Sequence, residues 1–147
     1  MQSDEFMQQV QDVARVDPEG AERVTRATLA TLGEYLYRTE QADFGAQLPP
    51  DLRALMNTRA GPEQNRQSTD RMELQDFYNR VSARADLGFQ QAVRQSRAVM
   101  TVLRAAVSEG AWESLRAQFP SQYDDLLLPA DLDRQTIPTS PRSSQGR

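Results

Sequence analysis

Residues 6–56 of this 147-residue chain recur at residues 77–127 without a gap, at a constant offset of 71. Phe6 returns as Phe77, Val10 as Val81, Ala14 as Ala85 and Ala21 as Ala92. Arg23 returns as Arg94, the pair Arg26-Ala27 as Arg97-Ala98, and Leu32 as Leu103. The end of the unit is more literal: Ala46-Gln47-Leu48-Pro49 becomes Ala117-Gln118-Phe119-Pro120. A long period that keeps apolar and proline positions means one supersecondary unit used twice. That restricts the fold far more than it restricts the function.

Periodicity within the unit predicts helices. Phe6, Val10, Val13 and Ala14 fall on one helical face, so the first helix is expected over 4–15. Asp17-Pro18-Glu19 supplies an N-cap acid, proline at the first helical position and an acid in the first turn. The second helix is expected to run to residue 37 and to bury Ala21, Val24, Thr28, Thr31, Leu32 and Tyr35. A short helix over 40–47 and another over 51–56 complete the unit, separated by the break at Pro49-Pro50. The second unit follows the same plan, with helices expected over 69–85, 89–107, 111–118 and 121–127, and Ser108-Glu109-Gly110 as a connection.

Residues 57–68 hold Gly61-Pro62 and a polar run, the composition of a linker. Residues 129–147 are rich in proline, serine and arginine with too few apolar residues to bury, and are expected to form a disordered tail. Four helices per half, two of them short, cover their apolar faces only by packing on the other half. The expected fold is therefore all-α, a pseudo-twofold helical bundle forming one domain over 1–128 from repeats 5–56 and 76–127. Two independent tandem units are the alternative.

Composition narrows the chemistry. The chain has no cysteine and no histidine, and all 17 basic residues are arginine. Disulfides, thiolate sites, the usual general base, lysine Schiff bases and phosphate-loop lysines are thereby excluded. A net charge of −4 argues against nucleic acid and anionic membranes as partners. No apolar run approaches the roughly 18 residues of a spanning helix, and the polar N-terminus does not look like a secretory leader, so a cytoplasmic location is expected. No cofactor is expected.

The unit of Phe6, Val10, Arg26-Ala27, Leu32, Ala46-Gln47-Leu48-Pro49 and Leu52-Arg53-Ala54-Leu55-Met56 resembles the bacterial family called domain of unknown function 2267. The resemblance covers about residues 5–128. It departs in the second half, where Phe119 replaces leucine and Ser121-Gln122-Tyr123 replaces a proline-acid-leucine run. It implies an all-α bacterial protein of no established activity, sometimes joined to regulatory domains, and it transfers no catalytic residue.

Among candidate site residues, Arg23, Arg26, Arg94 and Arg97 stand out because the same type recurs at two positions in both halves. Their planar forks suit a carboxylate or phosphate held between the halves. The competing reading pairs each with a nearby acid or with helix-end carbonyls. Gln47 and Gln118 suit either a recognition turn or the closing of a short helix. Trp112, Tyr123 and Leu128 are candidate partner-binding residues, Trp112 as a partly exposed anchor or alternatively as core. Asp124, Asp125, Asp131 and Asp133 lack calcium-loop spacing and read as a solvated face, so no metal site is expected. The expectation is a non-enzymatic helical interaction, scaffold or regulatory module with an unidentified protein partner or self-association. A small anionic-ligand sensor is the alternative, and a carboxylate-dependent hydrolase the weakest reading.

Overall fold

The computed structural model describes residues 1–36, 38–56 and 72–128. All regular structure among them is helical: α1 (Ser3–Ala14), α2 (Pro18–Tyr35), α3 (Arg38–Gly45), α4 (Pro50–Met56), α5 (Leu74–Ala85), α6 (Phe89–Ala106), α7 (Glu109–Arg116) and α8 (Asp124–Leu127), with a 3-10 turn at Ser121–Tyr123. The all-α class is as the sequence predicts. The expected linker 57–68 and tail 129–147 lie outside the described residues.

The ends of the helices follow from local chemistry. Asp17 caps α2 by accepting from the Gly20 amide at 2.7 Å, with Pro18 at the first helical position. A Cβ at Gly20 would lie 2.9 Å from the capping oxygen, so a larger residue there would displace the Asp17 carboxylate from its place. α1 and α5 end alike, on Arg15 and Asp86 in the left-handed region at φ 60° and 58°. The following amides close the same six-residue ring, Val16 N to Gln11 O and Leu87 N to Ser82 O, at 3.2 and 3.0 Å.

Four expectations shift at the boundaries. α3 runs over Arg38–Gly45 instead of 40–47. α5 begins at Leu74 instead of residue 69: the Glu73 amide donates to Asp76 and the Leu74 amide to Gln122, which fixes the first turn there. α7 begins at Glu109 because the Ser108 hydroxyl accepts from the Ala111 amide at 3.1 Å, so Ser108 is a cap rather than part of a connection. The expected last helix is split into the 3-10 turn and a single turn of α8.

Packing crosses between the halves. α1 lies on α6 and α5 lies on α2, while the long helices α2 and α6 also touch each other. Phe6, Val10, Phe77 and Val81 are all fully buried in one hydrophobic cluster. α2 packs against α1, α4, α5 and α6, and so buries Thr25, Ala27, Leu29 and Glu34 in addition to its predicted face. At the far end of the molecule α3 rests on α4 and α7.

Candidate functional site

The four arginines do not form a common clamp. Arg26 pairs with Glu22 one turn away at 3.1 Å, on an exposed face. Arg94 crosses to the other half and donates to the Ala14 carbonyl at the end of α1, at 2.8 Å. Arg97 donates through Nε to the Asp125 carbonyl at 3.1 Å and pairs with the Asp125 carboxylate. Three of the four are thus committed to the fold, Arg94 as a helix-end donor and Arg97 as the attachment of α8. Arg23 alone has no hydrogen bond or ion pair among the described residues, and it borders a cavity of about 220 Å³ beside the α1–α2 turn.

The aromatic anchors are core residues. Trp112 is 1% exposed, with Arg104 5.8 Å above its ring, and its indole N–H is buried without a partner among the described residues. Tyr123 is fully buried among Tyr35, Phe77 and Phe119, and its hydroxyl donates to the Met72 carbonyl at 2.7 Å. Burial pushes its phenol up. The expectation of exposed partner-binding aromatics is corrected for both: closure of the halves over each other removes them from the surface. Leu128 remains half-buried at the end of α8.

Two ionic clusters that the sequence reading did not single out join distant helices. Glu34, 8% exposed on α2, accepts from Arg80 at 3.0 Å and from Arg84, both on α5. Arg84 also donates to the Thr31 hydroxyl at 2.9 Å. Burial pushes the Glu34 carboxyl up, but hydrogen bonds and charges from Arg84 and Arg80 outweigh it and hold the group below its usual value. Tyr78 donates to the Asp125 carboxylate at 2.8 Å, completing the Arg97–Asp125 clasp of α8. Burial, and then Asp125, push that phenol well up.

A cleft of about 300 Å³ opens between α3 and α7. Phe44 and Leu115, equivalent positions of the two halves, give its apolar part. Gln47 and Gln118 both line it, and so do Glu40, Asp43 and Ser114. Gln47 accepts from the Ser108 amide at 3.2 Å, which ties it to the other half of the same chain at the start of α7. Leu48 meanwhile plugs the core and Phe119 stacks on Tyr35 with centroids 4.1 Å apart. Among the described lining residues there is no arginine, and Glu40 and Asp43 supply the carboxylates.

A family model described as Uncharacterized conserved protein (DUF2267) matches residues 3–126. The chain belongs to that family. The match runs from the start of α1 to within one residue of the end of α8, so DUF2267 membership takes in both halves and the cleft between α3 and α7. A search of curated proteins found no match.

Among the described residues no group of three or more acidic residues is placed to hold a metal ion. Asp124 lies 3.9 Å from Arg116 and Asp125 belongs to the α8 clasp, while Asp131 and Asp133 fall outside the described residues. No helix among those described is long and apolar enough to cross a membrane.

Proposed function

We propose that the chain is a non-catalytic protein-interaction module whose recognition site is the cleft between α3 and α7. The observation that carries this reading is the character of the cleft: two carboxylates, two amides and an apolar floor, with no cation among its described lining residues. Such a site suits a basic side chain that can donate to carboxylate and amide oxygens while its aliphatic stem lies on Phe44 and Leu115. An arginine or lysine presented by a partner has both parts. Support for a non-catalytic role comes from the composition, which lacks histidine and cysteine, and from Ser108, whose hydroxyl already serves as the acceptor that caps α7.

Calorimetry with short peptides tests the proposal. A peptide with a central arginine is expected to bind, its alanine counterpart to bind at least about tenfold more weakly, and added salt to weaken the arginine peptide further. Asp43→Asn should weaken the preference by several-fold while leaving the melting temperature unchanged, and adding Glu40→Gln should abolish the preference. Equal binding of both peptides, or none, would dismiss the cleft as a basic-side-chain site.

A further inference from the structure

A second cavity, of about 220 Å³, lies where the α1–α2 turn meets the start of α6, far along the chain from the residues of the α3–α7 cleft. Gln95 on α6 lines it and is only 6% exposed, yet its side-chain amide has no hydrogen bond among the described residues. Neither of its amide atoms is a fully buried polar atom left without a partner, so the amide opens onto the cavity. Packing does not demand an amide here, because the equivalent position of the first half, Val24, lines the same cavity with an apolar side chain.

Arg23 is the second unpaired group at this cavity. Its equivalent, Arg94, is consumed by the Ala14 carbonyl, so the arrangement leaves one guanidinium committed and one available. Asp17 is the third polar group: one of its carboxylate oxygens caps α2 through the Gly20 amide. The remaining walls include Val16, Val24 and Leu87. The cavity therefore presents a cation and an amide beside a carboxylate, over a short apolar surface.

We infer that this cavity binds a small zwitterion of the α-amino acid class. The ligand carboxylate takes the Arg23 fork and the N–H groups of Gln95, and its ammonium takes the Asp17 carboxylate. Asp17 disfavours inorganic phosphate and dicarboxylates, which would bring more negative charge against it. The volume equals the liquid share of roughly seven waters, which limits the ligand to a single small amino acid rather than a peptide. The site differs from the proposed peptide cleft in both lining and ligand, and neither depends on the other.

The twenty free L-amino acids, each offered to the full-length protein in saturation-transfer NMR, test this, with propionate, ethylamine and inorganic phosphate as controls. At least one small amino acid should bind saturably, and no control should displace it. Arg23→Gln and Gln95→Leu should each weaken that binding by at least about tenfold. Glu40→Gln, in the other cleft, should leave it unchanged. Gln95→Leu should also melt no lower than the parent, since it removes an unpaired amide, and Arg23 is exposed, so loss of binding in either variant reports the site and not unfolding. Absence of binding by every amino acid, binding of propionate or phosphate as tight as that of the best amino acid, or binding that survives both substitutions would each overturn the inference.

Discussion

Thr25 and Thr28 sit on the interior of α2 with hydroxyls that are buried and unpaired. At the position equivalent to Thr28 the second half carries Val99, also fully buried. Thr28→Val keeps the shape and removes the unpaired group, and should raise stability by about 1 kcal/mol, read as a melting temperature higher by roughly 2–4 °C. Arg15 and Asp86 stand in the left-handed region, where a Cβ costs about 1 kcal/mol. Asp86→Gly is expected to recover much of that in denaturant titration, by a rise in midpoint with no change in slope. Neither residue was legible in the sequence as strained, because the usual flag for such a helix end is a glycine and both halves lack it. The Asp17 cap, by contrast, was readable, since Asp-Pro-Glu states its chemistry within three adjacent residues.

Between elements, ionic clusters decide which helices stay together under stress. Glu34 ties α2 to α5 through Arg80 and Arg84, and its folded value lies below the ordinary 4.5. A depressed carboxyl stabilises the fold fully above its unfolded value and loses that contribution as pH falls through the folded one. Glu34→Gln should therefore cost about 1–2 kcal/mol at neutral pH, with the variant and parent stability curves converging below pH 4.5. In the second cluster, Asp125→Ala removes the acceptor shared by Arg97 and Tyr78. Amide exchange in α8 should then accelerate while that of α2 is unaffected, because α8 is a single turn with its own attachment. Pairings of this kind join residues far apart in the chain and leave no local pattern. The same reason applies to Tyr123, whose covering comes from distant helices, whereas the core alternative for Trp112 was already open in the sequence. Ser108 was closer to legible. Its hydroxyl two residues before Gly110 is a cap signal, but the glycine drew the reading toward a connection.

At the scale of the molecule, the 71-residue period foretold which helices would be long, which short, and that the halves would share apolar faces. What it could not tell was how they divide their polar positions. Glu34, Arg80 and Arg84 are matched in the other half by Ala105, Gln9 and Val13, and Asp125 by Ala54. The apolar frame is common to both halves, whereas the ion pairs and the acidic lining of both cavities are not. Cross-packing of α1 on α6 and of α5 on α2 makes each half the cover of the other. A fragment of residues 1–71 should consequently lack a cooperative melting transition by circular dichroism, and mixing it with 72–147 should restore one; a fragment that melts cooperatively alone would contradict the shared core.

The same crossing has a consequence during synthesis. α1 leaves the ribosome early and meets α2 soon after, but α6, which covers the rest of it, begins only at Phe89. At roughly 5–20 residues per second, the nascent chain carries the α6-facing part of α1 open for about 4–17 s. Premature termination anywhere before α6 would release a polypeptide whose first helix has only α2 to pack on, and quality-control proteases would meet it as an incompletely folded substrate.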